Sequence, residues 1–331
     1  NGYMAVGTEG RIEFVGSVLP TCYSNYEFRQ TKHLILPGFV DAHVHYPQLP
    51  VIASFGKTLL DWLNTYTFPE EIKYAETKYA EERAHQFFRQ ILSKGVTSAV
   101  VFSTTHIEAF EALLNKRQEF GVNLVSGVTA MDRGAPPDLT IDLEKFKDIN
   151  QQAIEYSKYF DRVKYAITPR FALSCSDQLL DYCGQILEAD SSLLMQTHVN
   201  ETRDEVIAAS ELFPNAKDYL DIYDSFGLLR DRSLFAHGIY TTDSELDRWA
   251  SSGASVVHCP TSNTFLGSGL FERDKYLASD INVSLGSDVG GGYSFNPFVT
   301  MAEAYKIAQL KGSIADPIEL IYSHTLAGAY A

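Results

Sequence analysis

The sequence contains little of what marks a membrane or secreted protein. None of its apolar runs reaches the ~18 residues that a membrane span requires, and its first residues show no secretory leader pattern. The 331 residues include only 4 cysteines, too few for a disulfide scaffold and without zinc-knuckle spacing: Cys22, Cys175, Cys183 and Cys259. We therefore expect reduced thiols, no membrane partner and a cytoplasmic location.

Basic residues are also scarce. Lys and Arg number 27 against 42 Asp and Glu, which gives a formal net charge of −15 at pH 7. Because such a surface repels the phosphate backbone, we expect no nucleic-acid partner. Apolar residues make up 45% and charged residues 21% of the chain, which is ordinary globular composition and excludes a disordered or fibrous protein.

The chain divides into a short β-rich start and a long repeating remainder. Within the first 36 residues, segment 11–15 alternates polar and apolar side chains, and glycines and a proline interrupt the pattern. Such short strands cannot build a core of their own. We therefore predict that residues 1–36 are the N-terminal part of a small β domain and that residues 37–331 form a separate, larger domain.

From residue 36 onward, short apolar runs alternate with amphipathic stretches. Runs of this kind are typical of strands buried on both faces of a parallel sheet. The predicted strands are residues 38–43, 97–102, 123–129, 163–168, 193–198, 234–237, 255–258 and 282–288. The main predicted helices are residues 74–93, 108–120, 142–160, 177–188, 201–212, 243–252 and 297–310. This alternation favours an α/β fold, a (β/α)8 TIM barrel with a small partial β-sandwich domain, over the alternative of a doubly wound open sheet.

Histidines collect at the ends of the predicted strands. His43 and His45 lie two residues apart, so both side chains point to one side of an extended chain. Of the 9 histidines, those at predicted strand ends are His43, His45, His198, His237 and His258. Asp288 ends the eighth strand. Because the functional residues of a barrel lie where its strands end, this set predicts a mononuclear metal site at one mouth of the barrel.

The types of donor indicate which ion the site prefers. A mixed set of imidazoles and a carboxylate suits Zn²⁺ or Fe²⁺ and lacks the oxygen-only character of a Ca²⁺ or Mg²⁺ cage. We expect one divalent metal ion, Zn²⁺ with Fe²⁺ as the alternative, and an open position for a water molecule. Glu201 follows His198 by three residues, where its carboxylate could take the proton of that water and deliver it to a leaving amine.

Several motifs resemble those of the amidohydrolase superfamily, and within it the aminohydrolases, which remove exocyclic amines from heterocycles. The motifs are PGFVDAHVH (37–45), HVNE (198–201), AHG (236–238), HCPTSN (258–263) and GSD (286–288). Three narrower segments resemble the guanine deaminase family: LDWLNTYTFP (60–69), TPRFALSC (168–175) and SDVGGGYS (287–294). The resemblance extends from about residue 36 to residue 331.

For catalysis, the resemblance implies one metal site and a set of acid–base groups. The implied metal ligands are His43, His45, His198 and Asp288. Glu201 matches the proton shuttle, and His237 matches the histidine that holds the attacking water or the developing tetrahedral centre. Asp288 is also expected to help protonate the leaving ammonia. His258 lies near the site, and its role stays open.

For substrate binding, the resemblance implies a pocket for a flat purine. Gln48 matches a residue that hydrogen-bonds the purine, and Arg170 and Phe171 match a carbonyl-binding cation and a stacking ring. An Arg only donates, whereas a Gln donates and accepts, which suits the carbonyl and the ring N and N–H groups of guanine. The other residues expected to contact the base are Glu201, His237 and Asp288. Two aromatic residues are expected to pack the loop over the barrel rather than the ligand, Trp62 and Phe68.

The implied reaction is metal-dependent hydrolysis of guanine to xanthine and ammonia. Hydroxide made available at the metal attacks the amine-bearing carbon, and Glu201 shuttles the proton. Two alternatives stay open: a deaminase of another heterocycle (an oxidised guanine, a pterin, a triazine or a cytosine-like base) and a non-enzymatic scaffold with this fold. We expect a homodimer. Because the family builds its small β domain from both chain ends and no returning C-terminal strands follow the barrel here, we also expect missing terminal segments.

Overall fold

The computed structural model describes residues 2–56 and 58–331 and divides the chain into two compact units. The first unit ends at Pro37. In it, strands β1 (Tyr3–Val6) and β2 (Ile12–Gly16) pair antiparallel, and a short 3₁₀ turn follows at Thr21–Tyr23. The alternating segment 11–15 thus lies largely in a strand of a two-stranded sheet.

The second unit, Gly38–Ala331, contains a parallel sheet whose eight main strands lie in sequence order within the described residues. The strands are β3 (Phe39–His45), β4 (Val96–Phe102), β5 (Asn123–Gly127), β7 (Val163–Pro169), β8 (Leu194–Val199), β9 (Ser233–His237), β10 (Ser255–His258) and β11 (Val283–Leu285). A two-residue strand, β6 (Thr129–Ala130), pairs with β7. Each predicted strand is present, because short apolar runs buried on both faces favour a parallel sheet.

Main-chain hydrogen bonds join the last strand segment to the first. The amide of Asp288 donates to the carbonyl oxygen of His43 over 2.8 Å, and the amide of His45 donates to the carbonyl oxygen of Val289 over 2.9 Å. These bonds bring the two ends of the strand order together. The TIM-barrel prediction is therefore confirmed, and the open-sheet alternative is wrong.

A buried carboxylate reinforces this seam. Asp41 accepts hydrogen bonds from the amide of Ser287 over 2.8 Å and from its hydroxyl over 2.5 Å. Burial raises the pKa of Asp41 to about 6, although the bonds from Ser287 act in the opposite direction. A Cβ on Gly286 would lie 2.8 Å from the Cβ of His43, so only glycine allows the two strands to approach this closely.

The helices between the strands follow the amphipathic stretches of the sequence. The longer ones are α3 (Thr77–Ser93), α4 (Ile107–Phe120), α5 (Leu143–Ser157), α6 (Asp177–Ala189), α7 (Arg203–Leu212), α9 (Asp243–Ser252) and α12 (Pro297–Leu310). The shorter ones are α1 (Leu59–Trp62), α2 (Phe68–Glu71), α8 (Tyr219–Ser225), α10 (Pro260–Phe265), α11 (Arg273–Ala278), α13 (Pro317–Ser323) and α14 (Leu326–Tyr330). Across the described residues, no helix combines the length and the apolar character that crossing a membrane demands.

The predicted helix 74–93 begins later in the structure than in the prediction. Glu76 is its N-cap, and its carboxylate accepts hydrogen bonds from the amides of Lys78 and Tyr79. The residues before it form a separate 3₁₀ turn, Ile72–Ala75. A side-chain cap of this kind satisfies the first free amides of a helix and so fixes its start.

A cluster of large apolar side chains holds the segment that follows β3 against the barrel. Its buried members are Val51, Leu59, Trp62, Leu63, Phe68, Met131, Leu139 and Phe171. Burying one such side chain contributes about 1.5–3 kcal/mol. Trp62 is further anchored by its indole N–H, which donates to the carbonyl oxygen of Ser54 over 3.0 Å. The packing places these residues beside the carboxyl ends of the strands.

Candidate active site

Three imidazoles and one carboxylate converge at the carboxyl ends of β3, β8 and β11. The Nε2 atom of His45 lies 3.2 Å from Nε2 of His43 and 3.1 Å from Nε2 of His198. The Oδ1 atom of Asp288 lies 3.3 Å from Nε2 of His43 and 3.4 Å from Nε2 of His45. One ligand atom from each of the four residues lies within 4.8 Å of the others.

This donor set fits a small divalent ion. Ligands about 2.0–2.1 Å from a tetrahedral zinc ion are about 3.3–3.4 Å from one another, close to the distances measured between these atoms. Burial lowers the pKa of His45 and of His198 well below the usual value, so both rings are neutral and have a free lone pair. Nδ1 of His198 donates to the carbonyl oxygen of Arg170 over 2.5 Å, which leaves Nε2 of His198 as the free donor atom.

The backbone after the strands is shaped to bring these groups together. Asp288 lies three residues beyond the end of β11 and adopts φ of 46°, in the left-handed region. His237, the last residue of β9, has φ of 78°, and Asn200, which follows β8, has φ of 54°. Such conformations are uncommon for residues other than glycine and occur where surrounding contacts hold them. The predicted strand 282–288 is therefore shorter in the structure, since its last residues turn into the site.

Glu201 lies on one side of the converging ligands. Its Oε2 atom is 3.5 Å from Nε2 of His237, and its Oε1 atom accepts a hydrogen bond from the hydroxyl of Ser268 over 3.2 Å. Burial, together with the charges of Glu205 and Asp288, raises the pKa of Glu201 well above its usual range. A raised pKa favours the protonated form of this carboxyl group, in the direction that suits a general acid–base catalyst.

His237 is oriented by an amide. Nδ2 of Asn263 lies 2.9 Å from Nδ1 of His237, and with the amide donating, the ring proton is at Nε2. That Nε2 atom faces Glu201 and is 3.9 Å from Oδ2 of Asp288. Burial lowers the pKa of His237 well below its usual value, so the ring is a neutral hydrogen-bond donor at this position.

The converging ligands form part of the wall of a pocket with both polar and aromatic lining residues. Its lining includes Gln48, Trp62, Arg170, Phe171, His198, Glu201, His237, Asp288 and Gly291. Arg170 forms a buried ion pair with Glu71, with 2.6 Å between Nη1 and Oε2, and its guanidinium carbon lies 5.2 Å from the centre of the Phe68 ring. Gln48 donates from Nε2 to Oε1 of Glu71 over 3.2 Å. The pocket thus combines aromatic walls with fixed donors and acceptors, as a planar polar ligand requires.

The structure brings most of the residues singled out in the sequence into this one place. His43, His45, His198, His237, Glu201 and Asp288 meet around the ligand cluster, and Gln48, Arg170 and Phe171 line the adjoining pocket. Trp62 lines the pocket as well as packing the loop, whereas Phe68 packs beneath Arg170.

His258 does not join the other histidines. Its ring stacks on Phe271 with 4.4 Å between ring centres, and neither ring nitrogen has a hydrogen-bond partner among residues 2–56 and 58–331. Burial lowers the pKa of His258 to about 3, so it is a neutral packed ring. Side chains alternate along a strand, and it is the next residue, Cys259, whose ligand atom lies close to those of His43, His237 and Asp288. The prediction that all five strand-end histidines share one site is therefore corrected to four.

Sequence reasoning missed three residues that contact the predicted site residues. Glu71 comes two residues after the LDWLNTYTFP segment, and Asn263 ends the HCPTSN motif, but neither was given a role. Ser268 lies in a loop with no motif to single it out. Their partners lie between 23 and 99 residues away along the chain, so no local spacing reveals the contacts.

Comparison with known proteins defines the class. The family model described as the amidohydrolase family matches residues 34–331, and the chain therefore belongs to this family of metal-dependent hydrolases acting on C–N bonds. This agrees with the superfamily resemblance and with a group of residues that could hold a metal ion. Membership of a family of hydrolases contradicts the alternative of a non-enzymatic scaffold with this fold.

Individual relatives are more specific. The chain is 38% identical over 296 residues to guanine deaminase of Escherichia coli (strain K12), which covers 89% of this chain and 67% of that protein. It is 37% identical to a probable guanine deaminase of Deinococcus radiodurans, covering 100% of this chain and 78% of that protein. A crystal structure of guanine deaminase from C. acetobutylicum with bound guanine in the active site superposes with a TM-score of 0.94 at 32% identity, over 99% of this chain and 80% of that one.

Proposed function

We propose that this chain is a guanine deaminase, which hydrolyses guanine to xanthine and ammonia. One observation carries the proposal: a His/Asp ligand cluster, a buried Glu201 and the side chains of Arg170 and Gln48 all border the same pocket. The similarity to guanine deaminases of E. coli and D. radiodurans, and to one solved with guanine bound, supports this substrate.

The metal ion would be held by His43, His45, His198 and Asp288. We propose Zn²⁺, with Fe²⁺ as the alternative, because neutral imidazoles and one carboxylate suit both ions. When bound, such an ion supplies a water molecule that ionises near pH 7. The donor distances of 3.1–3.4 Å support the assignment of these four residues.

The chain's own groups then account for the movement of protons. Glu201 lines the same pocket as three of the proposed ligands, so its carboxylate can accept the proton of the attacking water and pass it to a ring nitrogen of the base and then to the amine. His237 donates from Nε2 to the oxygen added at the reacting carbon, and Asp288 helps in the protonation of the leaving group. A C–O bond forms, the C–N bond breaks, and ammonia leaves.

Recognition of the base is assigned to other residues that line the same pocket. Arg170 donates to the carbonyl oxygen of the purine, and Gln48 offers both a donor and an acceptor to the ring edge. Phe171, which is 6% exposed and lines the pocket, offers a face on which a flat ring can stack. Glu201, His237 and Asp288 contact the edge of the base that reacts.

The test is ammonia release by the metal-loaded protein against guanine and a panel of other bases, with Glu201→Gln as the key variant. We expect guanine to be the preferred substrate. The variant should keep its metal and bind guanine, but lose about 10²–10⁴-fold in turnover, the usual contribution of general acid–base catalysis. Turnover of a pterin, a triazine or cytosine without turnover of guanine would instead support the alternative deaminase. A variant with near-normal turnover would refute the shuttle role.

Two further predictions concern the oligomeric state of the protein and its location in the cell. We propose that the chain forms a homodimer and acts in the cytoplasm, as the sequence led us to expect. The mass of the particle in solution tests the first, since a monomer at working concentration contradicts it.

A further inference from the structure

Glu71 connects the two polar residues that recognise the base. It is the last residue of α2 and is 1% exposed. One carboxylate oxygen, Oε2, pairs with Arg170 over 2.6 Å, and the other, Oε1, accepts from Gln48 over 3.2 Å. We propose that Glu71 is a positioning residue that fixes the orientation of both side chains and thereby makes the pocket select bases with a carbonyl oxygen. This inference rests on the proposed function.

The contacts of Gln48 leave its amide only one favourable orientation. Its Oε1 atom accepts from the amide of Gly290 over 3.1 Å, while its Nε2 atom donates to Glu71. If the amide were rotated by 180°, its oxygen would face a carboxylate and its NH₂ group would face an N–H donor, and both contacts would be repulsive. Gln48 therefore presents to the ligand one remaining N–H and one remaining oxygen lone pair, in a fixed order.

The guanidinium of Arg170 is fixed from several directions. Its Nη1 atom is paired with Glu71, its face lies over the Phe68 ring, and its main-chain amide donates to the carbonyl oxygen of Ala130 over 3.1 Å. The side chains of Arg170 and Glu71 are 4% and 1% exposed, so the pair is shielded from water. Because a guanidinium only donates, the ligand atom that meets its remaining N–H groups must be an acceptor.

Selection against an amino group follows from this arrangement. A base with an amino group where guanine has its carbonyl would place an N–H donor against the N–H groups of Arg170. Because Glu71 holds the guanidinium in place, Arg170 cannot turn away from that amino group. A site built to make a hydrogen bond discriminates strongly against a ligand that cannot complete it, since the buried polar group is left unpaired. Without Glu71, Arg170 and Gln48 could rotate, and the penalty for the wrong base would fall.

The neighbouring residue offers a matched control. Glu70 is also a buried carboxylate on α2, at 5% exposure, but its partners are Lys73, over 2.6 Å, and the hydroxyl of Tyr79. Neither partner lines the pocket. A general weakening of α2 should therefore appear in Glu70→Gln as well as in Glu71→Gln, whereas an effect on base recognition should appear only in Glu71→Gln.

The experiment compares kcat, KM and metal content of the wild type, Glu71→Gln and Glu70→Gln on guanine and on 2,6-diaminopurine, which has an amino group in place of the carbonyl. We expect Glu71→Gln to raise KM for guanine at least about tenfold, the effect of one lost hydrogen bond to a charged group, with kcat changed much less and the metal retained. Its preference for guanine over 2,6-diaminopurine in kcat/KM should fall by about tenfold or more. Glu70→Gln should match the wild type in both.

A paired exchange, Gln48→Glu with Glu71→Gln, separates folding from recognition. It restores a hydrogen-bond partner for each polar atom of the network, so the Tm should return towards that of the wild type. The carboxylate now facing the base has no N–H to donate, so KM for guanine should stay high. A double variant with normal KM would overturn the proposal, as would unchanged KM and unchanged base preference in Glu71→Gln.

The proposed function is tested in the same series by the wild type alone. If the wild type releases no ammonia from guanine, the proposed function fails. The role of Glu71 is then decided by equilibrium dialysis of guanine and 2,6-diaminopurine, in which weaker guanine binding by Glu71→Gln supports the role and equal binding refutes it.

Discussion

Ser268 shows how a single hydroxyl can orient Glu201, the proposed proton shuttle. It donates to one oxygen of Glu201, while the other oxygen faces His237. The loop that carries Ser268 is itself held, because the hydroxyl of Tyr240 donates to the carbonyl oxygen of Ser268 over 2.5 Å. One oxygen of this carboxylate is therefore hydrogen-bonded to Ser268, and the other is available for the proposed proton transfer.

Replacing Ser268 by alanine should slow the reaction without emptying the site. The variant leaves Glu201 free to rotate, so we expect kcat on guanine to fall roughly tenfold, in line with the loss of one hydrogen bond to a charged group. KM and bound metal should change little. Ser210→Ala, which removes an exposed hydroxyl that donates to the carbonyl oxygen of Ile207 on α7, serves as control and should behave as wild type. An unchanged kcat in Ser268→Ala would show that Glu201 needs no such support.

At the level of residues, the sequence predicted the groups that local motifs carry and missed those that depend on the tertiary fold. His43 and His45 follow from spacing along one strand, and His198 from its place at a strand end. His258 was wrongly grouped with the other strand-end histidines. Side chains alternate along β10, and the residue that faces the site there is the next one, Cys259. Glu71 was missed because its contact with Arg170 spans 99 residues, a relation that no local pattern encodes.

Among the secondary-structure elements, α13 is attached to the first barrel strand through one histidine. Nδ1 of His324, the C-cap of α13, donates to the carbonyl oxygen of Val40 over 2.8 Å, and the amide of Val40 donates back to the carbonyl oxygen of His324 over 2.9 Å. Burial lowers the pKa of His324 to about 4. The ring is neutral in the folded protein at pH 7, and protonating it there is unfavourable.

This histidine predicts a pH dependence of stability. In the unfolded chain its pKa is about 6.5, so between pH 6.5 and 4 the unfolded state binds more protons and the free energy of unfolding falls as the pH falls. The contribution of His324 to that loss is at most about 3 kcal/mol. His324→Asn keeps a donor for Val40 but does not titrate, so it should lose less stability on acidification. Denaturation at pH 7 and pH 5 measures this, and parallel curves for the two proteins would contradict it.

The strands and helices themselves were predictable to a high degree. Buried strands are marked by short apolar runs, and helices by capping residues and by glycines such as Gly121, which ends α4 with φ of 70°. Hydrophobic periodicity and composition could not predict the turn after β11, in which Asp288 adopts a left-handed conformation. That turn depends on contacts with His43 and Asp41, which lie beside it on β3 but about 245 residues away in the sequence.

For the molecule as a whole, the ligand cluster joins parts of the chain that are distant in sequence. The proposed metal ligands come from β3, from β8 and from the turn after β11, so a bound ion would cross-link three regions of the barrel. An ion that binds only the folded state stabilises it by about 2.7 kcal/mol when its concentration is a hundred times the Kd.

Removing the metal should therefore destabilise the protein. We expect a chelator to lower the Tm by several degrees, because about 1 kcal/mol corresponds to about 2–4 °C in a domain of this size class. Added Zn²⁺ should restore it. His198→Ala should abolish the response to metal, whereas His85→Ala, which changes a histidine far more exposed to solvent, should retain it. A wild type whose Tm is indifferent to chelation would argue against the proposed ligands.

The bond between Asp41 and Ser287 also bears on biosynthesis, because 246 residues separate its two partners. At a translation rate of about 5–20 residues per second, the ribosome takes roughly 10 to 50 s to synthesise the second partner after the first. During that interval the nascent chain carries a histidine pair without its carboxylate, on a sheet with an unpaired edge. The full set of proposed metal ligands is therefore present in the chain only near the end of that interval.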